Sequence, residues 1–104
     1  MRIPESVRIA GSEYAIKKED IVRREDQLLY GFIDFNGNTI SLSNTDACGD
    51  DTQRITLLHE ILHGICLHYG IKLEDEEDAV ERLAFGLYQV LRDNEERFFQ
   101  CSLR

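Results

Sequence analysis

Histidine is scarce in this chain and tightly grouped: all three, His59, His63 and His68, fall in one short segment. Within His59-Glu60-Ile61-Leu62-His63 the first two stand four residues apart. On an α-helix, four residues rise about one turn and rotate about 40°, so both imidazoles share a face and can grip one ion. Glu60, about 100° round from His59, then reaches a water on that ion rather than the ion itself. Zinc suits two imidazoles with an oxygen ligand, and it lowers the pKa of such a water toward ~7. The expected chemistry is metal-assisted hydrolysis with Glu60 as general base. Two surface histidines without a metal are the bland alternative. The surrounding pattern, a capped amphipathic helix after an alternating strand, argues against it.

A catalytic zinc site needs a third protein ligand. The metzincin pattern would require glycine at 66 and histidine at 69, and this chain has Cys66 and Tyr69. His68 lies about 140° round the helix from His63 and is expected to point elsewhere, as a partly exposed helix-end histidine. Cys66, three residues after His63, is near the histidine face and stays a minor ligand candidate, although most buried cysteines only pack. The next helix offers carboxylates: Glu74, Asp75, Glu76, Glu77, Asp78 and Glu81. Most of a charge run is solvated. Glu77 and Glu81, however, fall along the apolar stripe expected to pack inward, whereas Asp75 and Asp78 fall off it. A buried carboxylate is costly unless paired or metal-bound, so Glu77 and Glu81 read as a ligand with a supporting partner, Glu81 being the alternative third ligand.

The elements that must position these residues are legible in outline. Val7-Arg8-Ile9 and Tyr14-Ala15-Ile16 alternate around Gly11-Ser12, which predicts a hairpin. Leu28 to Phe35 is strand-like, Asn36-Gly37-Asn38 is a strong turn, and Thr39-Ile40-Ser41-Leu42-Ser43 alternates strictly. Lys18 to Gln27 reads as a loop or a short helical turn. A helix capped by Asp50, Asp51 or Thr52 is predicted to reach about Tyr69, with Leu58, Ile61, Leu62 and Ile65 apolar and Gly70 as its stop. A second helix is predicted from about Glu74 to Asn94, with a stripe at Val80, Leu83, Ala84, Leu87 and Leu91. The tail Phe98-Phe99-Gln100-Cys101 either extends it or folds back. The expected fold is α+β: a small antiparallel N-terminal sheet followed by two packed helices, in one domain over residues 1–104.

Several stretches together carry a family resemblance. They are Tyr30-Gly31-Phe32-Ile33-Asp34, Thr56-Leu57-Leu58-His59-Glu60-Ile61-Leu62-His63 and Glu77-Asp78-Ala79-Val80-Glu81-Arg82-Leu83-Ala84, extended by Gly86-Leu87-Tyr88 and Leu91-Arg92-Asp93-Asn94. The chain resembles the small phage- and prophage-type zinc metallopeptidases of the ImmA/IrrE-like group. Glu77-x-x-x-Glu81 is similar to the ExxxD arrangement of gluzincins. That resemblance implies a minimal zincin-like domain in which His59, His63 and Glu77 bind Zn²⁺, Glu60 is the catalytic base, and Glu81 orients a ligand histidine. Glu81 departs from the group, which more often has Asp or Asn there. The resemblance further implies a cytoplasmic protein or peptide substrate, lying beside strand 39–43 if that strand is a sheet edge. Tyr69 and Tyr88 are lesser candidates for steadying an oxyanion.

Composition excludes other classes. The formal charge of −8 gives no electrostatic footprint for nucleic acid. No apolar stretch approaches a membrane span, and the N-terminus lacks the apolar region of a secretory signal. Cys48, Cys66 and Cys101 form an odd set without CxxC spacing, which suggests reduced thiols in the cytoplasm. The expected function is zinc-dependent endopeptidase activity. The competing expectation is a zinc-binding regulatory or interaction module that does not cleave.

Overall fold

Turn chemistry sets the first strands. Ala10 and Gly11 both take positive φ, 50° and 86°, as a two-residue hairpin turn of matching twist requires. They join β1 (Ser6–Ile9) to β2 (Ser12–Glu19), closing on the Ile9–Ser12 pair. The computed structural model describes residues 2–20, 22–24, 27–44 and 50–99. A second hairpin, β3 (Val22–Arg24) with β4 (Gln27–Leu29), forms a separate two-stranded sheet. The segment expected to be a loop or helical turn is thus largely strand over its described residues. The expected single strand from Leu28 to Phe35 is split at Tyr30 between β4 and β5 (Gly31–Asp34). Asp34 Oδ1 accepts from the backbone N–H groups of Asn36 and Gly37 at 3.0 and 3.1 Å, and this side-chain turn leads into β6 (Thr39–Ser43).

The main sheet has the order β1-β2-β6-β5. Its two hairpin pairs are antiparallel, but β2 and β6 run parallel, Ala15 opposite Thr39 and Glu19 opposite Ser43. The sheet is therefore mixed rather than antiparallel. It also places β6 in the interior, so the strand beside which a substrate was expected is not an edge; β5 is. The parallel pair forms because the chain leaves β2, makes the β3–β4 hairpin, and returns through β5 so that β6 fills the gap.

Helix α1 (Asp50–Tyr69) packs across one sheet face, and α2 (Glu76–Asp93) packs on α1. The α+β arrangement of a small sheet followed by two packed helices is present. Ile9, Tyr14, Ile33, Ile40, Leu42 and Leu57 form the sheet-side core, with Ile61 and Ile65 against it. On α1's other side Leu58, with Ile55 and Leu62, meets Ala84, Tyr88 and Leu91 of α2. Gly64 lets α1 approach the sheet: a Cβ there would stand 2.8 Å from Ile9 Cδ1 and 3.3 Å from Ile33 Cδ1. Gly70, at φ 64°, ends α1, with Ile71 N–H donating to the Cys66 carbonyl at 2.9 Å.

Asp75 caps α2 by accepting from Asp78 N–H at 3.2 Å. Val80, Ala84 and Tyr88 are its buried line. Leu83 and Leu87, expected inside, are 54% and 39% exposed. A single helix contact covers only a narrow stripe, and no further layer among the described residues covers the rest. A break at Asn94 separates α3 (Glu95–Phe99) from α2, so the tail does not simply extend α2, and Gln100 lies outside the described residues. The expectations for Cys48 and Cys101 lie outside the described residues.

Candidate metal centre

The two histidines lie in the groove that α1 leaves between the sheet edge and α2. Going round α1 from the α2-facing residues Leu58 and Leu62 to the sheet-facing Leu57, one passes His59, His63 and then Glu60. The first turn of α2 closes the groove from above. Its acids Glu76, Glu77 and Asp78 suit the positive end of a helix dipole.

His59 Nε2 and His63 Nε2 stand 3.1 Å apart. Glu77 reaches both, with Oε1 2.8 Å from His59 Nε2 and Oε2 2.9 Å from His63 Nε2. The outer ring nitrogens also have carboxylates: His63 Nδ1 is 2.6 Å from Glu76 Oε2, and His59 Nδ1 is 3.4 Å from Glu81 Oε2. With the proton of each ring on its Nδ1, both Nε2 lone pairs and the Glu77 carboxylate point into one small space without a proton between them. Three converging acceptors repel unless a cation sits among them. Ligands of a tetrahedral ion at ~2.0–2.1 Å stand roughly 3.3 Å apart, close to the observed spacing. His59, His63 and Glu77 can thus hold one metal ion between them.

The reach of Glu77 agrees with the sequence reading, but its predicted burial does not. Its side chain is 70% exposed, and that of Glu81 is 54% exposed. The inward stripe runs on from Val80 at a slant, leaving both acids at the groove's rim. The buried carboxylate is instead Glu60, at 8% exposure. No hydrogen bond reaches it among the described residues. Burial pushes its carboxyl up to about 7; the His63 charge opposes this, while Glu77 and Glu81 add to it. Burial pulls the His63 imidazole down, but its hydrogen bond to Glu76 and the charges of Glu60 and Glu77 outweigh this and raise it.

Sequence reasoning passed over Glu76, the acid nearest a histidine. A signal was present, since Glu76 lies four residues before Val80 and continues the Val80–Ala84–Tyr88 line backward. The lesser candidates lie elsewhere. Cys66 is buried below the groove but is not among the converging atoms, and burial, with the Glu76 charge, raises its thiol pKa. His68 Nε2 shares a 2.7 Å hydrogen bond with the buried Tyr14 hydroxyl. Tyr88 donates to Asp51 Oδ1 at 2.5 Å, and Tyr69 is 65% exposed; neither lines the groove.

Two lobes open on either side of the centre and share Gly31, His59, Glu60 and Glu77. The larger, about 760 Å³, has an apolar wall of Phe35, Leu67 and Ile71. The smaller, about 350 Å³, has Tyr30, Ile55 and Phe85. No family model, curated protein or solved structure matches the chain.

Proposed function

We propose that this chain is a zinc-dependent endopeptidase related to the ImmA/IrrE-like group. The observation that carries the reading is the convergence of two imidazole nitrogens and one carboxylate beside the buried Glu60, whose carboxyl group has no hydrogen bond among the described residues. His59, His63 and Glu77 are the metal ligands. Zinc held there supplies Lewis acidity, polarising a peptide carbonyl and making water easier to deprotonate. Glu60 takes the proton from the attacking water and returns it to the leaving amine. Its burial beside the two histidines places its carboxylate to make both transfers.

The substrate is a peptide segment laid beside β5, the end strand of the β1-β2-β6-β5 sheet and the one that lines the groove. Lobes on both sides of the centre favour cleavage within a chain over removal of an end residue. Large exposed side chains in both, Phe35, Leu67 and Ile71 against Tyr30 and Phe85, favour apolar residues flanking the bond. The acidic charge disfavours nucleic acid as a partner. No helix among the described residues is long and apolar enough to cross a membrane, and we place the activity in the cytoplasm.

Comparing the proteomes of cells expressing wild-type and Glu60→Gln protein tests the reading. New protein termini should accumulate only with the wild type. Identical termini in both, with zinc bound in both, would instead support the non-cleaving module.

A further inference from the structure

Given that His59, His63 and Glu77 hold the metal, a reading on which this one rests, we propose that Glu76 is the main positioning residue of the site. It fixes His63 through Nδ1, a larger role than Glu81 has at His59. The family resemblance assigns the orienting carboxylate to Glu81 alone, whereas the distances rank the two the other way. Glu76 Oε2 is 2.6 Å from His63 Nδ1, and Glu81 Oε2 is 3.4 Å from His59 Nδ1. A charge-assisted N–H···O⁻ bond is short, about 2.7–2.9 Å, and strength falls quickly beyond that.

Glu76 is also the more enclosed of the two, its side chain 39% exposed against 54% for Glu81. Water competes less for its oxygens, so its hydrogen bond holds the ring more firmly. Glu76 touches the far nitrogen of the imidazole, not the one facing Glu77, so its role is to orient the ring rather than to bind the ion. Donation from Nδ1 sets the tautomer that leaves the Nε2 lone pair free for the ion. Glu76 and Glu77 are neighbours in the first turn of α2, behind the Asp75 cap. One helix start therefore delivers both the ligand and the group that aims its partner histidine.

The test is zinc affinity at fixed pH, by chelator competition, for the wild type and for E76A, E76Q, E81Q, E74Q and E77Q. E76A should bind zinc about 10–100-fold more weakly. E76Q should fall between E76A and the wild type, because its amide oxygen still accepts. E81Q should lose less than E76A, and E77Q should lose binding. E74Q removes an equal charge from the exposed Glu74, which makes no hydrogen bond or ion pair with His59 or His63 among the described residues, and should stay within about twofold of the wild type. In zinc-loaded protein, NMR should show a His63 Nδ1–H proton well downfield in the wild type and shifted back in E76A.

E76A within twofold of the wild type, or E81Q weaker than E76A, would overturn the proposal. E74Q as weak as E76A would reduce the effect to net charge and overturn it too. E76Q as empty as E77Q would make Glu76 a ligand instead. A wild type that binds no zinc would overturn the metal site itself, a result distinct from all of these.

Discussion

The two long sides of α1 are built on opposite terms. Toward the sheet, Leu57, Ile61 and Ile65 meet Ile9, Ile33, Ile40 and Leu42, and Gly64 lets the backbones close up. Toward the groove, the same helix presents His59, Glu60 and His63 to Glu76, Glu77 and Glu81. The first side gains from every apolar contact. The second holds a buried acid and gathers like-charged carboxylates, an arrangement that destabilises a fold unless a cation is shared. Such local departures from a consistent core belong to functional sites. The sheet side holds the helix in place so that the groove side can be unfavourable.

That contrast can be broken by substitution. Leu57→Ala should destabilise the protein by roughly 2–5 kcal/mol in chemical denaturation, with zinc affinity unchanged. A large loss of affinity would mean that the two sides are not independent. Zinc at a thousand times its dissociation constant should stabilise the wild type by about 4 kcal/mol and His63→Ala not at all. Equal stabilisation of both would place the ion elsewhere.

Glu60 sharpens the comparison through pH. Its carboxyl has an ordinary value of 4.5 and rises to about 7 in the metal-free fold. A raised pKa favours the protonated folded form, so its stabilising contribution is full below 4.5 and is lost as pH rises through 7. Metal-free Glu60→Gln should therefore exceed the wild type in stability by roughly 3 kcal/mol at pH 8. The gap should vanish below pH 4.5; a gap independent of pH would mean that Glu60 is not buried as described. The smallest effect is expected at Tyr88→Phe, which removes the hydrogen bond to Asp51. It should cost about 1 kcal/mol and leave zinc affinity alone.

Local signals were readable before the structure, and long-range ones were not. The β1–β2 hairpin, the end of α1 at Gly70 and the His59–His63 spacing follow from turn residues, a glycine stop and helical period, whereas Asp50, Asp51 and Thr52, expected as caps, lie inside the first turn of α1. The parallel β2–β6 pair joins segments more than twenty residues apart, and nothing in Thr39–Ser43 names its neighbour. The reach of Glu77 and Glu81 followed from their place beside the Val80–Ala84 line. Their exposure depended on the tilt at which α2 crosses α1, which periodicity alone does not contain. Glu60 shows the converse: its role as base was expected from the motif, but its burial on the groove side of α1 was not.

Zinc content per chain, by elemental analysis of wild-type, His63→Ala and Glu77→Gln protein purified in parallel, tests the metal centre most directly. One zinc per wild-type chain and almost none in either variant is the predicted result. Equal zinc in all three, or none in the wild type, would contradict a centre built from α1 and the first turn of α2.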